Sequence, residues 1–180
     1  EVDAANGRIF KITYESPTPW TKDLAKASDN ELVDLITSPN EWASRHARRL
    51  LQERAAAGTL TLVLKGWEPY FATEIMTDGK VSDSLRGLWC LHATGEMSDR
   101  SLSVALKHSD VTIHTWGIQI LGNLISQDPK TFLPYLAKFK STLLTTQSPY
   151  VRLHLAALLQ RLPAAEALDL GASLTSHSED

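Results

Sequence analysis

Three stretches of this chain repeat one another: Trp42 to Arg54, Val111 to Ile125 and Val151 to Leu162. Across 108 residues His46 aligns with His154, Leu50 with Leu158, Leu51 with Leu159 and Gln52 with Gln160. The remaining copy lies 40 residues before the last, with Val111 on Val151, His114 on His154 and Ile118 on Leu158. Self-similarity at this period restricts the chain more than its composition does. A unit of that length is one helix pair, which cannot bury its apolar face alone and becomes stable only when neighbours stack on it.

Local signals agree with helices. Trp42–Arg54 carries Ala43, Ala47, Leu50, Leu51 and Arg54 at amphipathic spacing, and Val151, Leu155, Leu158, Leu159 and Leu162 repeat it. Ser38-Pro39, Ser109-Asp110 and Ser148-Pro149 each precede a long helix, where a serine cap followed by proline or aspartate satisfies free backbone N–H groups. Ser28 with Glu31 forms a capping-box pattern, Asp128-Pro129 opens a helix, and Gly58 and Gly95 are stops. Residues 59–80 are the least clear, with Thr59–Leu64 alternating like a strand before Gly66 and Pro69. The expected fold is therefore all-α, an α-solenoid of about four HEAT- or armadillo-like units. Residues 7–15 alternate apolar and polar, predicting a short N-terminal strand or extended arm. The expected organisation is an arm with a proline linker over 1–19, the solenoid over 20–170 and a polar tail over 171–180.

Composition narrows function mainly by exclusion. The net charge of -3 and pI near 6.1 exert no general pull on nucleic acid or acidic membranes. No apolar run approaches the roughly 18–20 residues of a membrane span. The single cysteine, Cys90, excludes an intrachain disulfide and a multi-cysteine zinc site. It reads as an inert buried thiol. His92, two residues on, points to a different side of the helix, so the two make no nucleophilic pair.

Four groups of residues carry candidate chemistry. Arg45, Arg48, Arg49 and Arg54 form a basic run that would serve a phosphate- or acid-binding face, although Glu41 and Glu53 sit beside it as ion-pair partners. Trp67 and Tyr70, beside Phe71 in the irregular stretch, are a candidate exposed binding spot. Trp89 and Trp116 read as core. His46, His114 and His154 share a repeat position, and stacked helices hold such positions roughly 10 Å apart, too far to share a metal. No catalytic residue, metal or cofactor is assigned, and no Gly-x-Ser-x-Gly or phosphate loop is present.

Ser38-Pro39-Asn40-Glu41-Trp42, with Arg45-His46-Ala47-Arg48-Arg49-Leu50-Leu51-Gln52-Glu53-Arg54, resembles the first HEAT-like repeat of large secreted proteins of planctomycete and verrucomicrobia type. Those proteins join a dehydrogenase-like β-propeller, a HEAT-like segment and often a c-type haem domain. Leu88-Trp89-Cys90-Leu91-His92 resembles their next repeat, and Gly7–Ile12 the strand that closes the propeller. The resemblance implies a solenoid segment of a larger multidomain protein in an extracytoplasmic or periplasmic setting. The chain departs from the pattern in having no Cys-x-x-Cys-His and no propeller repeats, so neither haem attachment nor dehydrogenase activity carries over.

The expected function is a non-enzymatic scaffold or protein-interaction module, with partner proteins or adjacent domains as its ligands and Arg45, Arg49, Trp67 and Tyr70 on its binding surface. Two alternatives accompany it: a nucleic-acid-binding domain using the Arg45/Arg48/Arg49/Arg54 face, against which the net acidity argues, and a structural spacer between redox domains.

Overall fold

A computed structural model describes residues 12–16, 19–60 and 80–176, apart from the side chains of 132, 139 and 141–143. Within them lie eight α-helices: α1 (Asp29–Asp34), α2 (Glu41–Ala56), α3 (Val81–Thr94), α4 (Asp99–Leu106), α5 (Val111–Gln127), α6 (Pro129–Leu144), α7 (Pro149–Leu158) and α8 (Ala164–Leu174). Short 3₁₀ turns, Leu24–Lys26 and Leu159–Arg161, precede α1 and extend α7. No strand occurs among the described residues.

Helix starts follow the sequence closely. Ser28 accepts from the Glu31 amide while Glu31 accepts from the Ser28 amide at 2.8 Å, a complete capping box. Lys22 donates to Glu31 at 2.8 Å, and with the two Ser28 bonds it lowers the Glu31 carboxyl to about 2. Ser148 caps α7 as expected, but the caps of α2 and α5 are Asn40 and Asp110 rather than Ser38 and Ser109, because these side chains are the ones that reach the first free amides. Gly95 ends α3 with φ +75°, a left-handed conformation that costs glycine little, and the Glu96 amide then reaches back to the Leu91 carbonyl.

The residues before the four long helices share one register, although Lys80 before α3 makes no side-chain cap bond. Counted from caps Asn40, Lys80, Asp110 and Ser148, the seventh residue is Ala47, Gly87, Gly117 or Leu155, and all four are buried. The eleventh is Leu51, Leu91 or Leu121, each fully buried, or the half-buried Leu159. The register corrects the alignment of α5. Asp110 matches Ser148, so Ile113 falls on Val151 and Trp116 on His154, two residues from the match read in the sequence. His46 and His154 remain equivalent, and His114 does not join them. Identical residues at the wrong offset, Val111 on Val151 and His114 on His154, concealed the shift: Val151 is buried, whereas Val111 is 38% exposed.

The same four helices form a series of neighbours, α2 on α3, α3 on α5 and α5 on α7. Helix α1 packs on α2, α4 and α6 both pack on α5, and α8 packs on α6, α7 and the turn after α7. Two apolar clusters result. One joins Leu32, Val33 and Ile36 to Leu51, Cys90 and Leu91. The larger joins Leu88, Leu102, Leu106, Ile118, Leu121 and Leu155. Gly117 lets α4 approach α5, since a Cβ there would sit 3.0 Å from the Ala105 carbonyl carbon.

Two expectations for the ends of the chain are revised, the strand alternative over residues 12–16 and the start of the tail. Residues 12–16 form no strand, and Ile12 and Tyr14 are 96% and 87% exposed. With no partner strand among the described residues, their backbone lacks the cross-strand bonds a strand needs. Residues 7–11 and Pro17-Thr18 lie outside the described residues. The tail does not begin at Gly171: α8 runs through it to Leu174, because Leu170 and Leu174 continue an apolar stripe at i, i+4. Most of the unclear stretch, 61–79, lies outside the described residues, and Trp67, Tyr70 and Phe71 with it.

Candidate interaction surface

Exposed and half-buried positions of α2, α3, α5 and α7 carry most of their aromatic, arginine and histidine side chains, Arg152 of α7 being buried. At the start of α2, Asn40 accepts from the Trp42 and Ala43 amides at 3.1 and 3.3 Å, which fixes where Trp42 emerges. Trp42 is 53% exposed. Its ring stacks on His46, one turn on, at 4.8 Å and 18°. Trp20 meets it edge-on at 5.9 Å and donates its indole N–H to the Lys22 carbonyl.

Arg49 donates to His46 Nε2 at 3.1 Å. A guanidinium only donates, so Nε2 is the accepting nitrogen and the ring proton sits on Nδ1. Arg45 and Arg49 also lie 3.4 and 3.6 Å from Glu41 and Glu53. Such exposed pairs are worth about 0–1 kcal/mol, so a competing anion displaces them cheaply. Glu41, Trp42, Arg45, His46 and Arg49 line one cleft of about 460 Å³. It offers a flat aromatic floor with guanidinium groups beside it, chemistry suited to a carboxylate next to an apolar or aromatic group.

The structure brings Arg45 and Arg49 together and separates them from the rest of the run. Arg54 turns back toward α1, donating to Asp29 at 2.5 Å and to the Ala25 and Ala27 carbonyls. It neutralises a buried carboxylate and ties down the chain before α1. Arg48 lies over the Trp89 ring at 5.3 Å. The four arginines therefore make no common face.

Further along the series, Trp89 and Trp116 pack edge-to-face at 5.0 Å and 72°. Both are half-buried rather than full core residues. The Trp89 indole nitrogen and His114 Nε2 are enclosed with no hydrogen-bond partner among the described residues. Burial, then the nearby His108, holds the His114 ring below its usual pKa. His92 is lowered by burial alone, and its Nε2 lies 3.3 Å from the Asn123 amide nitrogen. Arg161 in turn donates to Asn123 Oδ1. His92, Asn123 and Arg161 thus link α3, α5 and the turn after α7. Gly122 makes room for the link, since a Cβ there would lie 2.8 Å from Leu158 Cδ1 and 3.1 Å from Arg161 Cδ.

Sequence reasoning missed this link because its members stand 31 and 38 residues apart. The signal available was the cap register: Asn123 and Arg161 are both thirteenth after their caps. Cys90 is fully buried, and burial pushes its thiol up to about 12, as an unreactive core cysteine requires. Among the described residues no group of three or more His, Cys, Asp or Glu side chains is placed to hold a metal, and no helix is long and apolar enough to cross a membrane. Comparison with family models, curated proteins and solved structures finds no match to the chain.

Proposed function

We propose that the chain is a non-enzymatic helical-repeat scaffold that binds protein partners through the α2 cleft. The carrying observation is that cleft: an exposed Trp42 stacked on His46, with Arg45 and Arg49 beside it in weak ion pairs. Tryptophan and arginine dominate protein-binding hot spots, where a large ring and a planar donor supply much contact with little rotamer cost. Helices α2, α3, α5 and α7 act as the inner members of HEAT-like pairs, an assignment supported by their common cap register and successive contacts. The preferred partner segment carries a carboxylate beside an apolar or aromatic side chain.

A nucleic-acid role needs arginines acting together on successive phosphates. Arg54 is committed to Asp29 and Arg48 to Trp89, which leaves two of the four on the exposed side. Two phosphate contacts give a log–log salt slope of only about -1.8 on duplex DNA. The test has two arms: selection of peptides from a random displayed library, and titration of a labelled DNA duplex at about 0.15 M salt, where the Debye length is near 8 Å. Selected peptides are expected to carry acidic residues and to lose binding in the Arg45→Glu, Arg49→Glu double variant, with no saturable duplex binding. Micromolar duplex binding abolished by the same variant would overturn the scaffold in favour of nucleic acid.

A further inference from the structure

Successive interfaces between the long helices use equivalent positions with different side chains. Where α3 meets α5, the ninth residue of α3, Trp89, packs on the sixth of α5, Trp116, and the twelfth of α3, His92, lies beside Asn123. Where α5 meets α7, the same three positions hold Gln119, His154 and Gly122. Two indoles give way to an amide and an imidazole, and the third side chain is reduced to a hydrogen. A pocket of about 290 Å³ opens there, with Ile118, Gly122, Ala157 and Leu158 as its apolar lining. Small-ligand sites start at about 300 Å³, so this space suits a single planar ring.

The polar lining is Gln119, His154, Gln160 and Arg161. Among the described residues Arg161 bonds to Asn123 Oδ1 and to no carboxylate. Asn123 is steadied in turn by His92, so the guanidinium is positioned with donors to spare. His154 is fixed from the other side. Its Nδ1 lies 2.9 Å from the Tyr150 carbonyl, and the Tyr150 ring meets it edge-on at 4.6 Å. A carbonyl only accepts, so Nδ1 carries the ring proton and Nε2 is left to accept. Nε2 and the side-chain amides of Gln119 and Gln160 have no hydrogen-bond partner among the described residues. One end of the pocket therefore offers donors to an anion, and the other an acceptor to an O–H or N–H. The two ends are seven residues apart, about 10–12 Å along the axis at 1.5–2.0 Å per residue, before the side chains reach inward.

We infer that the pocket between α5 and α7 binds a small planar carboxylate that carries a hydroxyl or N–H opposite its acid group. The carboxylate pairs with Arg161, the ring lies between Gly122 and Ala157, and the donor meets His154 Nε2. A phosphate fits less well, since the lining holds one arginine and no second cation, and His154 presents a lone pair. The pocket shares no residue with the α2 cleft.

The probe is para-hydroxyphenylacetate, titrated into the whole chain and followed by backbone amide NMR shifts. Its neutral amide and phenylacetate are the comparisons. The acid is expected to bind saturably, to move the Gln119, Gly122 and Arg161 amides, and to exceed its amide by at least about ten-fold, as a charge-assisted bond does. Arg161→Gln should remove the preference for acid over amide. His154→Phe should remove the preference for the hydroxylated acid over phenylacetate. Ala157→Trp, at an exposed position, should block all three compounds, and Arg100→Gln on α4 should change nothing. A circular dichroism melt checks that each variant folds. Equal affinity for acid and amide, or binding that survives Ala157→Trp, refutes the pocket. So does binding kept by Arg161→Gln and lost in Arg45→Glu, Arg49→Glu, which assigns the acid to the α2 cleft. Tighter binding of a tripeptide ending in a free tyrosine carboxylate also overturns it, because the source is then a protein terminus. The library selection reads the α2 cleft independently of all these outcomes.

Discussion

Arg45 and Arg54 lie on one helix, nine residues apart, and serve opposite purposes. Arg45 is 75% exposed beside Glu41, while Arg54 is 23% exposed against an Asp29 carboxylate that is 5% exposed. Removing Arg54 takes from that carboxylate and two carbonyls the guanidinium they share. Breaking one partner of a buried pair typically costs about 3–5 kcal/mol; partial exposure of Arg54 puts the expectation for Arg54→Met near the lower figure. Arg45→Met should fall within about 0.5 kcal/mol, as exposed substitutions do. Urea unfolding of the two variants measures the contrast, and equal effects would mean that Arg54 does not hold α1. The sequence displays all four arginines and does not distinguish them, because Asp29 and the Ala25 and Ala27 carbonyls are 25 to 29 residues away.

At the scale of the element, α7 tests the packing. Leu158 is 3% exposed and lies where a Cβ on Gly122 would be. Leu158→Ala should cost roughly 2–5 kcal/mol, the range for core leucine truncation. A urea midpoint unchanged by it would place the α7 apolar stripe in solvent. Helix starts were legible because a cap is a local device: Ser28 and Glu31, Asn40 and Ser148 bond amides within three residues of themselves. The offset between α5 and α7 was not legible, because similar residues at two neighbouring offsets align almost equally well. Helix α8 lacks a side-chain cap, follows Pro163 and contains Gly171, so its sequence resembles a tail. Its burial of Leu170 against the larger cluster is what makes it a helix.

For the whole molecule, folding stability should fall in mild acid. Burial holds His92 and His114 below 6.5, so between their folded values and about 6.5 the unfolded chain binds more protons. Their contribution is complete above about pH 6.5 and declines as pH drops below it. Glu31 and Glu41, also lowered, stay ionised in both states above 5.5 and do not blur the effect. The urea midpoint should be lower at pH 5.5 than at 7.5, with a smaller difference in His114→Phe; a flat or rising profile would sink this account.

Taken alone, the sequence determined the helical character, most helix starts and the apolar positions, since propensity, capping and 3.6-residue periodicity act within about a turn or two. It also marked Arg45 and Arg49 as a basic pair one turn apart. Tertiary structure decided what those pieces became: which helix packs on which, the link through His92, Asn123 and Arg161, and the stacking of Trp42 on His46 under the edge of Trp20. Each of these depends on distances between residues far apart in the chain. A single sequence fixes such distances only through the free energy of the packed whole, which no local pattern displays.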